Sequence, residues 1–138
     1  MTVNVRYMVD DVQASVDWYV GHFGFELLSH VPPAFADVQR GQLRLLLSGP
    51  ASSAGRPMAD GAKPAAGGWN RIEFVVDDID AEFRRLRQAG VRFRNEVVRG
   101  PAGAQVLAQD PSGNLVELFQ PVVRKEPGAG PRLRSTAP

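Results

Sequence analysis

Few side chains in this sequence could do chemistry. With no cysteine among 138 residues, thiolate nucleophiles, zinc ribbons and iron–sulfur ligation are excluded. The two histidines, His22 and His30, leave little for an imidazole-based metal site. The sequence contains no Ser/His/Asp arrangement, phosphate-binding glycine loop or dinucleotide-binding glycine pattern. Arg71 and Glu73 share the parity of one alternating segment, so a guanidinium and a carboxyl group are expected on the same face of a strand.

The composition is that of one ordinary domain. Hydrophobic residues at 43% and charged residues at 22% are typical of a folded globular chain. No apolar run approaches the ~20 residues needed to cross a bilayer, and residues 1–11 lack the pattern of a secretory signal. We therefore expect a cytoplasmic protein with no membrane partner.

The net charge of +1 is unevenly distributed. Residues 122–138 contain four cations against Glu126 alone, a balance of +3, and are rich in Pro and Gly. This composition predicts a flexible basic tail. Because no aromatic residues lie among these cations, the tail is weak evidence for phosphate contacts, and no nucleic-acid partner is predicted.

The sequence repeats itself with an offset of 67 residues. The segment NVRYMVDDVQASVDWY begins at Asn4, and RIEFVVDDIDAEFRRL begins at Arg71. Both the VDD triplets and the flanking apolar pattern coincide, which indicates a duplication. The sequence thus predicts a first module at 1–48, a Gly/Ala/Pro-rich linker at 49–68 and a second module at 69–121.

Each repeat begins with an alternating strand and continues with a helix. Asp11 and Asp78 are placed to cap these helices, and Gly24 and Gly90 to end them. Three further strands are predicted in each module: near 25–31, 34–40 and 43–48 in the first, and near 91–97, 103–109 and 114–120 in the second. The fold class is therefore α+β, with two βαβββ modules. The apolar parity of each first strand meets the helix, and function is expected on the opposite face.

Together these features resemble the vicinal oxygen chelate superfamily, the group of glyoxalases, bleomycin-resistance proteins and extradiol dioxygenases. The resemblance covers about residues 3–121 and is most specific in VDDVQASVDWYVGHFGFEL, residues 9–27, and DPSGNLVELFQP, residues 110–121. It implies an open, cup-shaped mixed sheet with the helices outside. It also implies a small-molecule cavity in the cup and a homodimer whose modules pair within or across chains.

The resemblance also implies four positions at which the superfamily's enzymes hold a divalent metal. Carried over by motif, these positions are Asn4, Leu45, Arg71 and Glu117. A guanidinium offers only donors and a leucine offers nothing, so the sequence predicts no metal and no cofactor. Arg71 and Glu117 are instead predicted to pair with each other, the alternative being that each is hydrated. Glu73 could add a second carboxyl group, and either glutamate could do acid–base work if desolvated.

The expected lining of the cavity combines charged, polar and apolar side chains. The predicted ligand-binding residues are Asn4, Arg6, Met8, His30, Phe35, Leu45, Arg71, Glu73, Glu117 and Phe119. Further apolar lining is expected from Leu43, Leu47, Val75 and Leu115, and Trp69 is expected at the rim. His22, near a helix end, is expected to be structural.

Three functions are compatible with these residues. The first is a metal-free protein that sequesters an antibiotic or metabolite, as in the bleomycin-resistance-like branch. The second is an enzyme of the superfamily, a lyase, isomerase or dioxygenase. It would use either atypical metal ligands or metal-free catalysis by Glu73 or Glu117. The third is a structural or regulatory protein whose cup is filled with side chains.

Overall fold

The computed structural model describes residues 1–123, so the predicted basic tail lies almost wholly outside the described residues. The first half contains β1 (Val5–Met8), α1 (Val12–Phe23), β2 (Glu26–Val31), β3 (Phe35–Arg40) and β4 (Leu43–Ser48). The second contains β5 (Arg71–Val75), α2 (Ile79–Gln88), β6 (Arg92–Phe93), β7 (Val98–Arg99), β8 (Gly103–Gln109) and β9 (Leu115–Pro121). The segment between β4 and β5 has one short 3₁₀ turn, Ser53–Gly55.

Both helices begin where the sequence predicts; α1 ends at its predicted glycine, and α2 ends at Ala89, one residue before Gly90. The side chain of Asp11 accepts a hydrogen bond from the Ala14 amide, and Asp78 accepts one from Ala81. These bonds satisfy amides that have no partner inside the helix. Gly24 closes α1 in the left-handed region, with φ of 67°. Neither helix, nor any other in residues 1–123, is long and apolar enough to cross a membrane.

The two halves form sheets with the same strand order, as expected of a duplication. The first is β1-β4-β3-β2 and the second is β5-β9-β8-β6, with β7 paired to β8. In each sheet the first strand is parallel to its neighbour, β1 to β4 and β5 to β9, and all other pairs are antiparallel. Both sheets are therefore mixed, and both are open. The α+β fold predicted from the sequence is therefore confirmed.

The predicted strand at 91–97 is the main departure from the expected elements. Only Arg92–Phe93 pairs with β8, and pairing resumes at Val98–Arg99. Between them the side-chain oxygen of Asn95 accepts a hydrogen bond from the Leu107 amide at 2.9 Å. A side chain thus takes the place of a backbone acceptor and interrupts the strand.

The two halves share one hydrophobic core within the chain. Phe23 at the end of α1 stacks on Phe74 of β5, with ring centroids 4.9 Å apart. The Tyr7 hydroxyl donates to the Leu115 carbonyl and accepts from the Ile72 amide, both at 2.8 Å. Because a side chain of β1 hydrogen bonds to backbone groups of β5 and β9, the modules are joined by specific hydrogen bonds as well as by apolar contact.

Candidate functional site

The faces of the two sheets that point away from the helices form what we call the open face. In β5, Ile72 and Phe74 pack against the core, so Arg71, Glu73 and Val75 point to the opposite side. The parallel register sets Arg71 beside Leu115, Glu73 beside Glu117 and Val75 beside Phe119. The open face of the second module is therefore charged at its centre and apolar at one end.

Arg71 and Glu117 form an ion pair on this face. Arg71 Nε lies 2.9 Å from Glu117 Oε1, and Glu117 is only 6% exposed. The pair holds because the adjacent strands β5 and β9 bring both side chains to one face. A nearly buried carboxylate needs a hydrogen-bonded cation to offset its lost hydration. The structure thus shows the pairing that the sequence predicted and excludes the alternative in which Glu117 is simply hydrated.

Glu73 lies next to this pair and is perturbed by it. A hydrogen bond with Glu117, together with partial burial and the charge of Glu117, raises the pKa of Glu73 from 4.5 to about 7, against the lowering effect of Arg71. Two carboxyl groups this close avoid repulsion by sharing one proton. The site therefore carries a group that gains or loses a proton near neutral pH.

Trp69, which the sequence predicts at the rim of the cavity, adjoins Arg71, Glu73 and Glu117, which we call the charged cluster. Its backbone carbonyl accepts a hydrogen bond from Arg71 Nη1 at 3.2 Å. Its ring, 61% exposed, lies under the guanidinium of Arg94, 4.5 Å from carbon to centroid. Sequence reasoning missed Arg94, because the residue falls inside a segment predicted as regular strand.

The first module presents a different set of side chains on its open face. Arg6 is exposed, and its Nη1 donates to Ser48 Oγ at 2.7 Å. Asn4 is exposed just before β1, and Met8 is half-buried on the same parity. Phe35 is half-buried opposite Ser48. With the offset of 67, Arg6 corresponds to Glu73, so equivalent positions of the two modules carry opposite charges.

Leu45 does not lie in the expected cavity lining. It is fully buried in the core, where it pairs with Val5, and Leu46 faces the open side beside Arg6. Arg6 pairs with Leu46, and its counterpart in the second module, Glu73, pairs with Glu117, so matching the glycines of the β3–β4 and β8–β9 turns shifts the register by one residue. A shift of one residue exchanges the two faces of a strand. The structural counterpart of Glu117 is therefore Leu46, and Leu47, also fully buried, belongs to the core.

His30 also lies away from the open face. It pairs with Ala36, a fully buried core residue. Its Nε2 is 2.6 Å from Gln13 Oε1 of α1. A register irregularity between Leu27 and Ser29 sets this parity, and the sequence offers no signal for it. His30 thus joins β2 to the helix side and is separated from the charged cluster.

The residues at the four superfamily positions do not fit a divalent metal. Asn4 offers one neutral oxygen, Leu46 offers none, and Arg71 offers only donors. The remaining position, Glu117, already has one oxygen engaged by Arg71. Within residues 1–123, no three His, Cys, Asp or Glu side chains come close enough to hold an ion.

Comparison with known proteins gives the same family. The sequence matches the glyoxalase/bleomycin resistance protein/dioxygenase superfamily over residues 3–118. Among curated proteins, none matches it in sequence.

The similar solved structures include an enzyme and an antibiotic binding protein. A lactoylglutathione lyase from Agrobacterium tumefaciens is 25% identical, with a TM-score of 0.67 over 87% of this chain and 92% of the other. TnmS3, an antibiotic binding protein from a Streptomyces species, is 25% identical, with a TM-score of 0.62 over 88% and 98%. TioX from a Micromonospora species is 26% identical, with a TM-score of 0.64 over 88% and 99%. With the family match over most of its length, this chain belongs to the glyoxalase/bleomycin resistance protein/dioxygenase superfamily.

Proposed function

We propose that this protein binds an antibiotic or metabolite on its open face without a metal and protects by sequestration, as in the bleomycin-resistance-like branch. The observation that carries the proposal is the Arg71–Glu117 ion pair. It occupies two positions at which enzymes of the superfamily hold an ion, and its guanidinium supplies the positive charge there. The similarity to an antibiotic binding protein supports the same function.

The side chains of the open face favour a ligand that is both polar and planar. Glu73 loses its proton near neutral pH and can then, beside Glu117, accept a hydrogen bond from a cationic or amide group, and a carboxylate charge makes such a bond stronger than a neutral one. Exposed Val75 and half-buried Met8 and Phe119 offer apolar area beside them. Trp69 adds an exposed ring on which a flat ligand could stack.

Calorimetric titration tests this binding. Protein treated with a chelator is titrated with cationic glycopeptide and polyketide-like compounds. The variant E117Q should weaken binding of a cationic ligand at least tenfold, which corresponds to about 1.4 kcal/mol. The variant E26Q, which removes an exposed carboxylate from β2, is the charge-matched control and should bind like the native protein. Unchanged affinity in E117Q would remove this residue from the site.

Two further measurements separate sequestration from catalysis. Mass spectrometry of the ligand after long incubation should recover it unchanged. Elemental analysis of the purified protein should find less than stoichiometric Mn, Fe, Ni or Zn. A stoichiometric metal would contradict the ligand argument.

A metal-free acid–base enzyme is the second candidate, favoured by the proton shared between Glu73 and Glu117. A carboxyl group with a pKa of about 7 can both give and take a proton at neutral pH. Turnover by metal-free protein, lost in E73Q and unchanged in E26Q, would establish this function instead.

We also propose a homodimer located in the cytoplasm. The support is β2, which ends its sheet and has all six residues exposed. Leu27, Leu28 and Val31 lie on this edge with 38%, 47% and 61% exposure. Exposed strand edges of this kind commonly pair with another chain. Sedimentation analysis at micromolar concentration tests the dimer, and L28K should shift it toward monomer.

A further inference from the structure

A second concave surface lies outside the charged cluster of the open face. It is a cleft of about 460 Å³ between the end of α2 and the edge strand β6. Its lining is Phe83, Arg87, Val91, Arg92, Phe93, Arg94, Asn95, Glu96 and Gln109. We call it the arginine cleft, because three of these nine residues are arginines.

The charge of the arginine cleft is only partly balanced by the protein. Its single carboxylate, Glu96, is 81% exposed and lies 3.6 Å from Arg87. Within residues 1–123, neither Arg92 nor Arg94 has a carboxylate oxygen within 4 Å. The helix dipole accounts for Arg87 in the last turn of α2, but Arg92 and Arg94 lie beyond the helix. Several arginines that line one cleft make its potential positive, and such a cleft attracts an anion.

The other walls of the cleft are aromatic. Phe83 and Phe93 meet edge to face, with centroids 4.7 Å apart. The Arg87 guanidinium lies 5.2 Å above the Phe83 ring, and Val91 beside them is buried. Such a surface favours a ligand with a flat apolar body over a bare inorganic ion, because burying that body in the cleft adds hydrophobic free energy.

Trp69 connects this cleft with the open face. Arg94 lines the cleft and also covers the Trp69 ring at 4.5 Å. The Trp69 carbonyl in turn accepts from Arg71 of the charged cluster. A ligand that draws Arg94 into the cleft would therefore change the surroundings of the Trp69 ring.

We propose that the arginine cleft is a binding site for a small aromatic anion. Because side chains alternate along β6, Arg92 and Arg94 flank Phe93 on the opposite side of the strand, and the ligand spans the exposed edge of β6: its carboxylate binds Arg92 and Arg94, and its ring packs against the phenylalanine wall. The site is separate from the proposed binding of a cationic ligand at Glu73 and Glu117 and does not depend on it.

Fluorine NMR of the full-length protein labelled with 5-fluorotryptophan tests the proposal. The two tryptophans, Trp18 and Trp69, give one signal each, and W69F assigns them. Titration with 2-naphthoate should shift the Trp69 signal to saturation and leave that of buried Trp18 in place. The neutral 2-naphthylmethanol should bind at least tenfold more weakly. Raising the salt from 50 to 500 mM should weaken naphthoate binding severalfold.

Matched variants distinguish the site from general surface charge. R92Q/R94Q should weaken naphthoate binding at least tenfold. R56Q/R84Q removes two exposed cations outside the cleft and should bind within twofold of the native protein. Circular dichroism and thermal melting check that both variants fold. Equal weakening in the two double variants would overturn the proposal.

Two other results would also overturn it. One is inorganic phosphate binding as tightly as naphthoate, which would leave the aromatic wall without a role. The other is naphthoate shifting neither tryptophan signal at millimolar concentration. The E117Q variant should retain naphthoate binding whether or not it binds a cationic ligand, so failure of one proposal is distinguishable from failure of the other.

Discussion

Glu73 and Glu117 are directly paired on the parallel strands β5 and β9, and the carboxyl group of Glu117 raises the pKa of Glu73 to about 7. Adjacent carboxyl groups are unfavourable when both are ionised. The arrangement is accepted here because Arg71 neutralises Glu117 and Glu73 keeps its proton up to about pH 7. The protonation of Glu73 therefore affects the free energy of unfolding of the whole protein.

The first prediction concerns pH. Between pH 4.5 and about 7 the native protein holds a proton on Glu73 that the unfolded chain has lost. The free energy of unfolding should therefore fall as the pH rises through this window. In E73Q, which has no proton to lose, this part of the fall should be absent. Urea denaturation of both proteins from pH 4 to pH 8 measures the difference, with E26Q as control. Parallel curves for native protein and E73Q would contradict the shared proton.

The second prediction concerns the ion pair. R71Q leaves the buried Glu117 carboxylate without its cation, and the free energy of unfolding at pH 8 should fall by about 1–3 kcal/mol. R71Q/E117Q should recover part of this loss, because two amides can hydrogen bond without a buried charge. R56Q controls for the loss of an exposed arginine and should change stability by less than about 0.5 kcal/mol. A double variant no more stable than R71Q would show that the pair does not act as a unit.

The third prediction concerns the contact between the modules. Y7F removes the hydroxyl that bonds to both Ile72 and Leu115, so two backbone groups at the joint lose their partner. The expected loss of stability is about 1–3 kcal/mol. Hydrogen exchange gives a local readout: the Ile72 amide should exchange faster, while amides in the middle of α1 keep their rates relative to global unfolding. Unchanged protection of Ile72 would indicate that another acceptor replaces the hydroxyl.

The fourth prediction concerns the close approach of β8 and β9. Gly103 has φ of 152°, and a Cβ atom there would overlap the Gln120 carbonyl oxygen and crowd Pro121. G103A should therefore force the strands apart and cost more than about 2 kcal/mol. G100A is the control, since its Cβ would meet nothing within 4 Å. Thermal melting of the two variants compares them directly, and equal melting temperatures would contradict the expected overlap.

Sequence periodicity predicts most of the strands and both helices, and it predicts the two residues that β5 contributes to the site. Alternation in Arg71–Val75 set Arg71 and Glu73 on one face, and the repeat of 67 residues indicated a second copy of the same sheet. Both inferences depend on local geometry, which a sequence states directly. The Arg71–Glu117 pair followed from the family resemblance, which located Glu117 on the strand beside β5.

The errors arose where register depends on turns and on tertiary contacts. Leu45 is predicted on the wrong face because matching the turn glycines places β4 one residue out of register. His30 lies on the face opposite to the predicted one because the pairing register of β2 shifts between Leu27 and Ser29, and tertiary packing sets this shift. The contact of Arg94 with Trp69 lies where the Asn95 side chain interrupts the strand, and nothing in the sequence pattern indicates this interruption. Each error concerns the pairing register of neighbouring strands, which turns, bulges and side-chain hydrogen bonds set and which the alternation of a single strand does not reveal.

The Tyr7 hydroxyl makes the two repeats of the sequence unequal. The first repeat supplies, through the Tyr7 hydroxyl, a hydrogen-bond donor and acceptor to two strands of the second. Phe74 occupies the equivalent position in the second repeat and has no hydroxyl to offer the first. The contact between the two repeats is thus asymmetric, and we expect neither half to fold when the other is removed. The two repeats therefore unfold together as one cooperative unit, although their open faces carry different side chains.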